Sequence, residues 1–140
     1  MRRLLVPLSV AALAVAPALA RKTKTDTVSA SVHKTGRSGT ALVYKGIVHS
    51  KVFGKGQVTE YVYGDFSGKF VIRYTKGVVR GKSIAHLKHV GSSGVEVTGT
   101  YRLTSGTKKY RHISGHGTFT GRTNQSLQNA TFNQHGKVSF

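Results

Sequence analysis

Residues 95–103 read Val95-Glu96-Val97-Thr98-Gly99-Thr100-Tyr101-Arg102-Leu103, and their pattern decides the fold. Val95, Val97, Tyr101 and Leu103 fall on one phase of a two-residue repeat; Glu96, Thr98, Thr100 and Arg102 fall on the other. Successive side chains of a β-strand point to opposite faces, so this stretch predicts a strand with an apolar inner face and a polar outer face. The same alternation sets Phe70, Ile72 and Tyr74 against Lys69, Val71, Arg73 and Thr75. It also sets Val28, Ala30 and Val32 against Ser29, Ser31 and His33, and Leu42, Tyr44 and Val48 against Val43, Lys45 and Ile47. No window carries the i, i+3, i+4, i+7 stripe of an amphipathic helix. Only Thr107–Ile113 suits a single helical turn.

Glycine punctuates these runs. Ser38-Gly39, Gly64-Asp65, Gly91-Ser-Ser-Gly94 and His135-Gly136 read as turns. Gly54-x-Gly56-x-Val58 and Gly115-x-Gly117-x-Phe119-x-Gly121 instead keep glycine on one strand phase. There it lets a strand bend sharply or lets a bulky neighbour pack over it, as the tapered interior of a small barrel requires. About eight strands, short connections and no crossover helix predict an all-β fold, a small antiparallel β-barrel. Closure also removes the edges that a Val/Thr-rich chain would otherwise expose. The expected inward set is Leu42, Tyr44, Val58, Val62, Phe70, Ile72, Leu87, Val95, Val97, Leu103, Phe119 and Phe132.

Composition bounds the function. The 140 residues fit one domain, and they hold 22 Lys+Arg against 4 Asp+Glu, a formal charge of +18, with no Cys and no Trp. Without Cys there is no disulfide framework, thiolate metal site or Cys nucleophile. Four carboxylates leave little for a Mg²⁺ or Ca²⁺ cage. Residues 1–20 read as a secretory signal peptide: Arg2 and Arg3, an apolar run from Leu4 to Ala16, then Ala18-Leu19-Ala20 as the cleavage site. Cleavage after Ala20 makes the protein secreted and, by removing Arg2 and Arg3, lowers the charge from +18 to +16. Residues 21–27 read as a flexible basic tail and residues 28–140 as the barrel domain.

The segment Gly99-Thr-Tyr-Arg-Leu-Thr-Ser-Gly106-Thr-Lys-Lys-Tyr110-Arg-His-Ile-Ser-Gly115-His-Gly117-Thr-Phe119-Thr-Gly121 resembles the strand–turn–strand signature of allene oxide cyclase-like and dirigent-like barrels. Gly106, Thr107, Lys109 and Tyr110 keep that pattern, while Ser105 and Lys108 stand where glycines are usual. Arg111 to Ser114 replaces the family's small-residue segment. Gly54-Lys-Gly56-Gln-Val58 resembles an earlier strand of these barrels, and Gly136-Lys-Val138-Ser-Phe140 their closing strand. The resemblance covers roughly residues 28–140 and concerns the turn and the barrel taper. It implies the fold and a lumen that acts on or carries a small hydrophobic ligand. No motif carries the plant enzymes' catalytic residues onto this sequence, so the chain is expected to be a binding or structural protein more than an enzyme.

Candidate site residues follow. Glu60 shares a strand phase with Gly56, Val58 and Val62, which offers an inward carboxyl whose pKa burial would raise. The favoured expectation for its charge is a salt bridge to Arg73 or Lys82 on a neighbouring strand. With Tyr44, Tyr74 and Tyr101, Glu60 forms the expected luminal ligand set. Of seven His residues, His86/His89 and His112/His116 have spacings that would share a helix face, but neither segment reads as a helix and companion ligands are few, so neither metal nor cofactor is expected. No Gly-x-Ser-x-Gly elbow is present. The cations, among them Lys69, Arg73, Arg80, Lys82, Lys108, Lys109 and Arg111, fall largely opposite the apolar phase. The leading expectation is therefore a secreted barrel with affinity for an extracellular polyanion, whether cell-wall polymer, extracellular DNA or anionic lipid.

Overall fold

Eight strands arise where the alternation predicts them, in a computed structural model that describes residues 22–91 and 94–140. They are β1 (Lys24–Ser38), β2 (Ala41–Ser50), β3 (Gly54–Val62), β4 (Ser67–Tyr74), β5 (Gly77–Val90), β6 (Gly94–Gly106), β7 (Ser114–Asn124) and β8 (Asn129–Ser139). Each pairs antiparallel with the next, and β8 returns to β1, closing the barrel. One 3₁₀ turn, Lys108–Tyr110, lies inside the window expected to hold a helical turn. Among the described residues, no helix is long and apolar enough to cross a membrane.

One boundary differs from expectation. The tail expected over residues 21–27 is strand from Lys24 onward, and Lys24 to Thr27 pair with Val138 to His135 of β8. The reason is visible in the phase: Asp26 falls in step with Val28 and Val32, and all three are buried. Polar composition concealed a strand that closes the sheet. The expected signal segment, residues 1–20, lies outside the described residues.

The inward phase fills the core as predicted. Tyr44, Val58, Phe70, Ile72, Val95, Val97 and Phe119 are buried. Leu42, Val62, Leu87, Leu103 and Phe132 pack half-buried against that core. Gly81 shows why glycine sits on this phase. A Cβ there would run into the Phe70 ring and the Arg102 carbonyl, so its absence makes the space in which Phe70 lies.

The two ends of the barrel differ. At one end Phe53, from the β2–β3 connection, stacks on Tyr74 with ring centroids 5.0 Å apart. Tyr110, from the 3₁₀ turn, meets Phe53 edge-on at 5.0 Å and Phe140 at 5.2 Å. Asp26 is buried above this aromatic plug. It accepts hydrogen bonds from the Ser50 hydroxyl at 2.8 Å and from the Val52 N–H at 3.1 Å. At the other end the β1–β2, β3–β4 and β7–β8 turns surround an opening. An eight-stranded barrel is just wide enough to be filled by side chains or to hold one small ligand. This one does both, at opposite ends.

Candidate functional site

The open half of the lumen holds a cavity of about 300 Å³. Leu42, Val62, Leu87, Val97, Phe119 and Phe132 supply most of its wall, with Tyr44, Glu60, Ser83 and Thr123 as polar interruptions. Arg37, Tyr63, Phe66 and Leu127 stand at the rim. A separate void of about 30 Å³ lies deeper, and Glu60 and Ser83 line both spaces, which places them at the cavity floor. A larger trough of about 620 Å³ runs along the barrel exterior beside Ser31, Arg122 and Asn129, outside the lumen.

Glu60 is positioned by register. It faces Tyr44 across β2 and Phe70 across β4, on the inward phase of all three strands. The favoured expectation of a salt bridge to Arg73 or Lys82 fails, because both lie on the outer phase and are exposed. The salt bridge is therefore absent for a geometric reason: the barrel wall separates the charges. Among the described residues no hydrogen bond or cation meets the Glu60 carboxyl, and burial alone raises its pKa from 4.5 to about 7. What remains accessible of Glu60 faces the cavity.

Tyr44 shares the cavity wall. Its hydroxyl donates to the Leu127 carbonyl at 2.7 Å. Burial raises its pKa first, and the nearby Glu60 charge adds to the rise. Ser83 reaches the same floor: its Oγ and the Glu60 Oε1 both border the space left by Gly68.

Tyr74 and Tyr101, expected in the ligand set, also point inward but do not line the cavity. They belong to the closed half. The Tyr101 hydroxyl lies over Gly117 and Gly136, and the Tyr74 ring lies over Gly56. Burial, and then the Asp26 charge, push the Tyr101 phenol up to about 12; the same two causes raise Tyr74 further. The two-residue phase placed both inside correctly. It carries no information on which end of the lumen each occupies, because that depends on the strand stagger.

The expected cation set divides in two. Lys69, Arg73, Arg80 and Lys82 lie exposed on the outer face of β4 and β5. Lys108, Lys109 and Arg111 lie around the 3₁₀ turn at the plugged end. There the Lys76 charge, with help from Lys24, lowers the pKa of the exposed Lys109. Among the described residues no three His, Asp or Glu side chains gather as metal ligands would.

Three features of the interior were missed in the sequence. Asp26 stands in a polar stretch that reads as a tail, although its phase with Val28 is a usable signal. Ser83 gave no signal beyond its position in step with Leu87. The pairing of Tyr44 with Leu127 joins residues 83 apart, and no local pattern announces it. Comparison with protein-family models, with curated proteins and with solved structures finds no match.

Proposed function

We propose that the protein is a carrier or receptor for a small, largely apolar molecule bearing one polar group, held in the open half of the barrel with that group on Glu60. The observation that carries this reading is an unpaired carboxyl at the floor of an apolar cavity that opens to the outside. Burying a carboxyl without a partner is unfavourable, and a ligand group that hydrogen-bonds it offsets that cost. Few polar groups on an apolar wall are what ligand pockets use to fix orientation, and about 300 Å³ reaches the lower end of their size range. Near neutral pH the carboxyl exists in both forms. Protonated, it donates to a carbonyl or hydroxyl; ionised, it holds an amine.

This reading puts the lumen ahead of the outer charge as the primary site. It is in keeping with the resemblance to allene oxide cyclase-like and dirigent-like barrels. Lys108, at a position where that turn usually carries glycine, has φ 53°, a backbone conformation that glycine favours. With the signal-like residues 1–20, the reading describes an exported binding protein without catalytic machinery.

The test is a fluorescence titration with 1-aminoanthracene, an apolar ring system bearing one amine. Saturable one-to-one binding is expected. Ala85→Phe, which fills the cavity from its wall, should abolish it while the folded circular-dichroism spectrum persists. Glu60→Gln should weaken it about tenfold at pH 8, the order of one charge-assisted hydrogen bond. Absence of saturable binding, or binding that Ala85→Phe leaves intact, overturns the reading.

A further inference from the structure

The strand register places five outward side chains in one row across the barrel. Lys69 of β4 faces Lys82 of β5, Lys82 faces Arg102 of β6, Arg102 faces His116 of β7, and His116 faces Lys137 of β8. All five are exposed. Like charges directly opposite one another across a sheet disfavour folding, so this row is an arrangement that folding alone does not reward. The carboxylates do not relieve it. Asp26 and Glu60 are inside the barrel; Asp65 lies in the β3–β4 turn, bonded to Ser67. Glu96 stands farther along β6, in register with Lys88 and Arg122.

We infer that this row binds a flexible linear chain of phosphates that wraps the barrel. Neighbouring strands lie about 4.8 Å apart, so the five positions cover roughly 19 Å of surface. Those strands form a convex arc of half the ring. A flat lipid surface touches only part of such an arc, and a stiff duplex follows it poorly; a flexible chain reaches every position. One aromatic side chain, Tyr61, adjoins the row, opposite Lys69. A single ring is no stacking platform for successive bases, which favours phosphate over nucleobase as the recognised group. At its β8 end the row stops where Lys137 pairs with Thr25; Lys24, in step with buried Asp26, and Lys109 lie off the row at the plugged end, over the Phe140 ring at 5.2 Å and 5.9 Å.

The test measures affinity for long-chain inorganic polyphosphate across a salt series. Lys82→Gln with Arg102→Gln removes the centre of the row. Lys45→Gln with Lys55→Gln removes the same charge from β2 and β3, outside it. At about 150 mM salt the first pair should lose at least about tenfold in affinity. Its log–log salt slope should fall by about 1.4, as the loss of two phosphate contacts implies. The second pair should change affinity by less than about twofold, and thermal melts should show both variants folded. Equal losses in the two variants would mean that total charge alone binds, and the inference fails. It also fails if phosphatidylglycerol vesicles or duplex DNA bind more tightly than polyphosphate at equal phosphate concentration.

Discussion

The Tyr44 hydroxyl and the Leu127 carbonyl are joined by a 2.7 Å hydrogen bond that ties β2 to the β7–β8 turn beside the mouth of the cavity. Leu127 has φ 56°, a left-handed conformation unfavourable for leucine. The turn is held by its own bonds as well. The Leu127 N–H donates to the Asn124 carbonyl at 2.9 Å, and the Gln128 N–H donates to the Asn124 side chain at 2.9 Å. Phe66, across the mouth in the β3–β4 turn, has φ 62°. Two apolar rim residues are thus kept in conformations that only their surroundings enforce.

Removing the tie should loosen one side of the mouth without unfolding the barrel. Tyr44→Phe keeps the ring and deletes the donor. It should cost about 1 kcal/mol, the usual net value of such a bond. Urea denaturation measures the cost. Hydrogen exchange should speed up at Leu127 and Gln128 and stay unchanged at the plugged end.

The buried carboxyl predicts an unusual pH dependence of stability. Glu60 has its pKa raised from 4.5 to about 7 in the folded protein. Below the lower value both folded and unfolded chains hold the proton, and there is no penalty. Between the two values the unfolded chain releases its proton while the folded chain keeps it, so stability falls as pH rises. Above about pH 7 the loss is complete, at about 3 kcal/mol for a shift of this size. The difference in unfolding free energy between Glu60→Gln and the parent protein should therefore grow from pH 4.5 to 7 and then level off. A difference that stays flat over that range would mean that the carboxyl is solvated.

Much of this arrangement was legible beforehand, and the reason is periodicity. Phe70, Ile72 and Tyr74 on β4, and Val95, Val97 and Tyr101 on β6, announced their strands and their inward faces. The phase of Glu60 points inward on the same ground, yet the abundance of nearby cations favours a salt bridge to Arg73 or Lys82 that the barrel wall prevents. What periodicity lacks is stagger. It could not distinguish Tyr44, at the cavity, from Tyr101, in the closed half, nor show that Lys82 faces Arg102. At Asp26 the phase points inward correctly, and it is the polar composition around it that misleads. A buried carboxylate bonded to Ser50 is recognisable only once β1 has found both of its neighbours.

Glycine at the tight interior positions should resist substitution. Gly81→Ala places a methyl group against the Phe70 ring and the Arg102 carbonyl. It should destabilise by about 1–3 kcal/mol, the range for overpacking. Gly36→Ala, where an added Cβ meets no atom within 4 Å, should change stability by less than about 0.5 kcal/mol. Thermal melts of the two variants give the comparison.

The plug predicts a fourth pattern. Phe53 touches the rings of Tyr74, Tyr110 and Phe140. Phe53→Ala should cost about 3 kcal/mol, at the lower end for a lost phenyl group because Phe53 is only half-buried. It should also admit solvent toward Tyr74 and Tyr101. Their phenol titrations, followed by ultraviolet absorbance, should then move down toward the ordinary range.

The pairing of β1 with β8 has a consequence for how the chain acquires its shape. Lys24 meets Val138 and His33 meets Asn129, so the first strand waits for the last. Seven strands can zip up as successive hairpins, but β1 keeps an unpaired edge until β8 has joined the sheet. Such long-range closure is slow, and an open strand edge is where neighbouring nascent chains add on. The eleven residues of β8, Asn129–Ser139, therefore act as the seam of the molecule. A chain shortened there would not be a slightly smaller barrel. It would be a curled sheet with two sticky borders, prone to assemble with copies of itself.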